Sequence, residues 1–303
     1  MSEVLQQLSS ELASIVERVG PSVVRVEGRR GGPSSGAVWS ADGLVVTASH
    51  VVEWEEGIEV GLPDGSTVNA TLVGRDPSTD VAVLRAAASG LTPASWSGTD
   101  GLKVGQLVVG VSRPGRSARA GLGIVSALGD SWRTRLGGRV YRYVQSDVDR
   151  HPGYSGSVLA AAGGGALGLN TSGLVRSAGI VVPASTLRRV VDALLAHGQV
   201  RRGFLGVGTY PVALPAPLQQ QLSQRSALLV VSVQANSPAE RAGLVLGDAL
   251  VAFDGHATRQ PVDLLPLLEE DRIGATVTAR VLRAGELRDV SVTIGTRETP
   301  ASS

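Results

Sequence analysis

Four histidines occur in this 303-residue chain, so few side chains can take up a proton near neutral pH. His50 stands in the run TASHVV, directly after an apolar strand, a position that aims its ring from a strand end toward a cleft. Asp80 closes DPSTD ahead of the apolar VAVL, again at a strand start. Ser155 lies in HPGYSGS, where flanking glycines let the backbone bend and approach a substrate. A hydroxyl, an imidazole to receive its proton and a carboxylate to fix the imidazole tautomer are the requirements of serine acyl transfer. The Gly-x-Ser turn adds backbone N–H groups, from Gly153 and Ser155, for the oxyanion that develops. The order along the chain is His, Asp, Ser, with gaps of 30 and 75 residues. Two-barrel proteases use that order, whereas subtilisins and α/β-hydrolases do not. The nucleophile elbow G-x-S-x-G also fails here, because position 157 is Ser157.

Those residues need rigid supports, and the apolar pattern supplies them. Strands are expected at 23–26, 36–39, 44–47, 58–62, 67–73 and 81–85, and again at 107–111, 121–127, 140–145, 157–160, 166–171 and 179–183. Turns such as ADG at 41–43 and PDG at 63–65 separate them. Six strands, a bridge and six more predict two small antiparallel barrels. TLRRVVDALLAH at 186–197 predicts an amphipathic closing helix that stops at Gly198. Residues 1–22 predict an amphipathic N-terminal helix, 23–200 the barrel domain, 203–297 a second domain with its own core, and 298–303 a frayed tail. Within the second domain, strands are expected at 204–207, 227–233, 250–253, 277–282 and 288–294, with helices at 238–242 and 262–269.

Composition excludes several other classes. Apolar residues make up 43% and charged residues 18%, a balance that builds a sizeable buried core. A net charge of +1 gives no excess to draw nucleic acid or an anionic membrane, and the arginines are scattered rather than striped. There is no cysteine, which removes disulfides and thiolate chemistry. No set of His, Asp and Glu has metal-ligand spacing, so neither metal nor other cofactor is expected. GGPSSG at 31–36 and AAGGG at 161–165 do not lead into helices as phosphate cradles do, and read as loops. His151, His197 and His256 read as structural or solvated. No run is long enough for a membrane span, and Glu3, Glu11, Glu17 and Arg18 interrupt any signal-like apolar core, so the expected location is the cytoplasm.

Several linked motifs together resemble the HtrA (DegP/DegS-like) family of trypsin-like serine proteases. They are SADGLVVTASHVV, VGRDPSTDVAVL, GIVSAL, QSDVDRHPGYSGSVL and GIVVP, followed by HGQVRRGFLGV and SPAERAGLVLGDALVAFDG, spanning about residues 20–297. The resemblance implies a mainly β fold: a chymotrypsin-like double β-barrel protease domain, then a small α/β PDZ domain. It implies His50 as base, Asp80 as orienting acid and Ser155 as nucleophile, acting without ATP on unfolded or damaged protein. It further implies that the PDZ domain takes peptide C-termini by strand addition on Phe204, Leu205, Gly206 and Val207, near Arg202, with Leu264, Leu265 and Leu268 as pocket candidates. A homotrimer and peptide-ordered loops at 129–140 and 172–178 belong to the same implication.

This chain departs from the family pattern around the nucleophile. Tyr154 and His151 stand where asparagines are usual, Ser157 and Val158 replace Gly-Pro, and Asp149 and Arg150 replace small or apolar residues. Asp149, six positions before Ser155, has the spacing of a primary-pocket carboxylate, with Thr171 and Gly179 as further pocket candidates. A carboxylate there favours arginine or lysine before the cut, whereas the resemblance implies a small aliphatic residue. The alternative to the protease is a proteolytically silent chaperone or peptide-binding scaffold.

Overall fold

The computed structural model describes residues 2–175 and 177–296; Met1, residue 297 and the expected tail at 298–303 lie outside the described residues, as does Arg176 within the expected loop 172–178. The chain divides into two compact units, Met1–Val200 and Arg201–Ser303.

Valine-rich strands buried on both faces build the first unit. Its first barrel is formed by β1 (Val23–Glu27), β2 (Ser34–Val38), β3 (Leu44–Thr47), β4 (Ile58–Gly61), β5 (Thr67–Asp76) and β6 (Val81–Ala86), closed in the order β1-β2-β3-β6-β5-β4. Period-two alternation sends Ala82 and Leu84 of β6 into the barrel interior. Val81 and Val83 face the other way, into the core shared with the second barrel.

After β7 (Leu107–Ser112) and β8 (Arg119–Gly129) comes a short hairpin, β9 (Trp132–Arg133) with β10 (Arg139–Val140). Then β11 (Tyr143–Ser146), β12 (Val158–Ala161), β13 (Ala166–Thr171) and β14 (Gly179–Pro183) close the second barrel with β7 and β8, in the order β11-β14-β13-β12-β7-β8. The strand expected over 140–145 is thus broken in two. The Tyr141 N–H leaves the ladder for the Thr186 hydroxyl (3.0 Å), and its ring lies under the Arg139 and Arg189 guanidiniums.

Two helices brace this unit. Leu187, Val190, Val191 and Leu194 form the buried stripe of α2 (Ala184–His197), which packs on strands of both barrels. The N-terminal helix α1 (Ser2–Val19) seats only its C-terminal half: Ile15 and Val19 are buried, while Val4 and Leu5 are 69% and 66% exposed.

In the second unit, β15 (Gly203–Phe204) pairs with the last strand, β22 (Gly295–Thr296). The main sheet runs β16-β17-β18-β20-β21, formed by β16 (Val207–Ala213), β17 (Ser226–Val233), β18 (Ala249–Phe253), β20 (Thr276–Arg283) and β21 (Glu286–Thr293), with β19 (His256–Ala257) on β18. Leu250 and Phe253 of β18 enter the larger core and Ala249 and Val251 the smaller one; the register shift between Leu250 and Ala252 lets residues three apart share a core. Leu218 and Leu222 of α3 (Ala216–Leu222) cover that smaller core. α3 escapes the sequence pattern because two leucines are its only apolar anchors. The other helices are α4 (Pro238–Arg241) and α5 (Pro261–Leu264). The single helix expected over 262–269 ends early, because Pro266 has no N–H to donate, and the chain continues as a 3₁₀ turn at Leu265–Leu268.

Candidate active site

His50 follows β3 within a 3₁₀ turn, Ser49–Val51, whose neighbour Val51 is buried in the first barrel. The Asp76 carboxylate shapes the approach to Asp80 by accepting from the Ser78 N–H (3.1 Å) and the Thr79 hydroxyl (2.7 Å). Asp80 itself takes a left-handed backbone conformation (φ 57°), one that aspartate tolerates better than most residues. Its buried carboxylate meets His50 Nδ1 at 2.8 and 3.0 Å and accepts the His50 backbone N–H at 2.9 Å. A carboxylate only accepts, so Nδ1 is the donor, and in the neutral ring this tautomer makes Nε2 the acceptor.

Thr171, a pocket candidate from sequence, is fully buried instead, and its hydroxyl donates to Asp80 Oδ2. Gly173 packs on the same pair: a Cβ there would come within 2.6 Å of both His50 Nδ1 and Asp80 Oδ2.

Ser155 reaches the same cleft from the β11–β12 loop of the second barrel. The cleft, about 530 Å³, is lined by His50, Ser155, Ser172, Gly153 and Asp149 among others. Ser155 Oγ lies 3.0 Å from the Ser172 hydroxyl and accepts the Ser172 N–H at 3.3 Å. The turn that carries Ser155 needs glycine on both sides. Gly153 (φ 89°) abuts Pro114, and a Cβ on Gly156 (φ 81°) would fall 1.9 Å from the Ser35 carbonyl oxygen. The Tyr154 N–H donates to His151 O, the Gly156 N–H to Asn170 O and the Ser157 N–H to Tyr154 O. The N–H groups of Gly153 and Ser155, two residues that line the cleft, have no hydrogen-bond acceptor among the described residues.

In the second unit, Leu205 is buried, and the N–H of Ala239 donates to its carbonyl (2.8 Å). Gly206 turns the chain with φ 82°, which splits the strand expected over 204–207. From Val207 onward β16 pairs with β17 alone among the described strands, so its other edge lies open, with α5 alongside. Leu264 is buried in the core, Leu265 and Leu268 are half-buried, and Arg202 is half-buried just before β15.

The trypsin-like peptidase domain family matches residues 34–169, and the PDZ domain family matches 203–294. A solved structure titled HtrA-type protease AlgW with tripeptide is 30% identical, covers 95% of this chain and 98% of its own, and superposes with a TM-score of 0.73. The chain belongs to the HtrA-type serine protease family. Curated HtrA-type relatives include proteins named probable periplasmic serine endoprotease DegP-like. The one from Chlamydia trachomatis is 34% identical over 267 residues, covering 86% of this chain and 53% of the relative. The one from Halomonas elongata is 35% identical over 267 residues, covering 86% of this chain and 56% of the relative. The chain thus spans about half the length of the curated relatives it matches.

These relatives overturn the cytoplasmic expectation, since they are named periplasmic. That expectation rested on the missing apolar core in residues 1–20. Those residues form an amphipathic helix whose buried face packs on strands of the second barrel, and a packing role carries no information about the compartment.

The departures of this HtrA-type chain have structural counterparts. The Tyr154 ring is buried in the core of the second barrel, and burial pushes its phenol up to about 12. Its hydroxyl sits 2.9 Å from where a Gly179 Cβ would lie, so Gly179 backs the Tyr154 phenol; neither Thr171 nor Gly179 lines the cleft. Asp149 does line it, but as an exposed residue. The His151 ring is tied to the Pro152 carbonyl (2.7 Å) and to Ser112 (3.3 Å). Sequence reasoning missed Ser172 and Ser35, because a serine in an apolar or glycine-rich run carries no periodic signal. Among the described residues no cluster of His, Asp and Glu could hold a metal ion, and no helix is long and apolar enough to cross a membrane.

Proposed function

We propose that this chain is a serine endopeptidase that cuts unfolded or damaged proteins without ATP, working in the periplasm or cell envelope. One arrangement carries the reading: His50 is held by Asp80 at ring and backbone in the same cleft as Ser155 and two unengaged amides. Ser155 Oγ attacks the scissile carbonyl carbon while His50 Nε2 takes its proton, and Asp80 stabilises the resulting imidazolium. The carbonyl π electrons move to oxygen, and the Gly153 and Ser155 N–H groups receive that oxyanion. Collapse expels the amine, which takes the proton back from His50. Water, activated by the same imidazole, then releases the acyl group.

For the residue before the cut we propose a small aliphatic side chain. Asp149 is exposed at the cleft rather than buried at a pocket floor, and Tyr154 fills the space against Gly179. The second unit accepts peptide C-termini as an added strand on β16. Labelling of the chain with a fluorophosphonate probe tests the nucleophile. The expected result is one adduct, on the Ser155 peptide, lost in Ser155→Ala; a folded wild-type chain that takes no label contradicts the reading.

A further inference from the structure

Five hydrogen bonds around the nucleophile turn hold its peptide planes, and two of them come from one residue of the other barrel. Ser35, on β2, is wholly buried. Its hydroxyl donates to the Gly153 carbonyl (2.7 Å), and its backbone N–H donates to the Ser155 carbonyl (3.2 Å). The remaining three are the Tyr154, Gly156 and Ser157 N–H bonds described above. Ser35 therefore grips the carbonyls of Gly153 and Ser155, the two residues of this turn whose N–H groups have no acceptor among the described residues.

The direction of the Ser35 hydroxyl is set by its surroundings. A serine hydroxyl has one proton and two lone pairs. The Arg113 backbone N–H donates to Ser35 Oγ at 2.9 Å, which occupies a lone pair and leaves the proton for Gly153 O. Arg113 is itself tied down: its guanidinium donates to the carbonyls of Val23 (2.6 Å), Gly20 (2.9 Å) and Arg116 (2.7 Å). The Ser35 carbonyl is held too, by the Thr47 hydroxyl at 2.7 Å. The Gly153 carbonyl lies in the peptide plane that joins Gly153 to Tyr154, so holding it fixes the C-terminal side of Gly153, next to the plane that carries the Gly153 N–H. We propose that Ser35 is a positioning residue for the oxyanion site, which it holds by anchoring Gly153. The inference rests on Ser155 being the nucleophile.

The test is steady-state kinetics of the full chain, wild type against Ser35→Ala, on a short peptide spanning a casein cut, together with inhibition by a tripeptide boronate. The boronate mimics the tetrahedral oxyanion. Loss of the anchor is expected to lower kcat about 10- to 100-fold, the cost of a misplaced donor, with KM within about twofold. Boronate affinity is expected to fall in the same ratio, while binding of the product peptide stays constant. A purely structural role would weaken boronate and product binding together, and that pattern overturns the inference, as does a Ser35→Ala kcat equal to wild type. Where Ser35→Ala does not fold, Ser35→Cys, with its weaker S–H donor, takes its place: kcat at least about threefold down at constant KM supports the anchor, and wild-type kcat overturns it. A wild-type chain that neither cuts nor binds boronate defeats the nucleophile reading and this inference with it.

Discussion

The hydroxyl oxygens of Ser155 and Ser172 lie 3.0 Å apart, and the Ser172 N–H reaches the same Ser155 oxygen at 3.3 Å. In this arrangement the Ser172 hydroxyl and N–H hold the Ser155 oxygen in the cleft, where the proposed mechanism has it give its proton to His50. Removing the Ser172 hydroxyl loosens this hold and leaves the Ser172 N–H contact in place. Ser172→Ala is expected to raise kcat about 2- to 10-fold, the range set by one neutral hydrogen bond, with KM unchanged. Peptide kinetics check this, and a fall in kcat would show that Ser172 assists the nucleophile.

In the proposed mechanism Asp80 acts through geometry as well as charge. It receives the His50 ring, the His50 N–H and the Thr171 hydroxyl, so the tautomer and the angle of the imidazole are both fixed. Asp80→Asn is expected to cut kcat by about 10⁴, because the amide stabilises the wrong tautomer. Thr171→Val preserves shape and removes only the third bond, so a loss of about tenfold is expected. Single-turnover rates on one peptide substrate distinguish the two.

Much of this site was legible in the sequence because its parts sit at element ends. His50 after β3, Asp80 before β6 and Ser155 between glycines are positions that period-two patterning and turn chemistry locate without coordinates. The two-barrel plan was legible for the same reason, since Leu44–Thr47, Ala166–Thr171 and Gly179–Pro183 fall at the expected bounds. What the pattern could not give was direction across the fold. Thr171 reads as a pocket residue until β13 is seen to turn its hydroxyl onto Asp80. Ser35 reads as part of a loop until β2 is seen to carry it against the nucleophile turn. In the second unit Gly206 and Pro266 cut elements that hydrophobic spacing had joined, because a positive φ and a missing N–H act at single residues.

The open edge of β16 depends on the turn at Gly206. Its φ of 82° is costly for any residue with a Cβ, and a Cβ there would lie 2.1 Å from the Ser237 Cβ. Gly206→Val is therefore expected to abolish binding of a peptide ending in a free carboxylate while peptidase activity on casein persists. For wild type, amidating that peptide should weaken binding about tenfold. Fluorescence anisotropy on the full chain reads both effects; equal affinity for acid and amide would argue against carboxylate capture.

Asp248 and Arg283 give the second unit a pH-dependent support. Burial opposes charge on the Asp248 carboxylate, but the Arg283 fork (2.7 and 2.8 Å) and the Val245 N–H (2.9 Å) outweigh it and hold the carboxyl below its usual 3.8. A folded-state value below the unfolded one stabilises above pH 3.8, and that stability is lost as pH falls through the folded-state value. Asp248→Asn is expected to destabilise the unit by roughly 3 kcal/mol at neutral pH, since it leaves Arg283 without its charge partner. The gap from wild type should narrow as the pH drops below 3.8. Hydrogen exchange of the β18 and β20 amides across that range measures it, and a gap that stays constant would contradict the assignment.

The proposed peptidase activity depends on Ser155, and digestion of reduced casein by wild type and Ser155→Ala, with fragments read by mass spectrometry, tests that dependence most directly. The predicted result is cutting by wild type, with small aliphatic residues before the cuts, and none by the variant at equal concentration and equal thermal stability. Cutting that persists in Ser155→Ala, or a folded wild-type chain that leaves casein intact even with C-terminal peptides added, would contradict it.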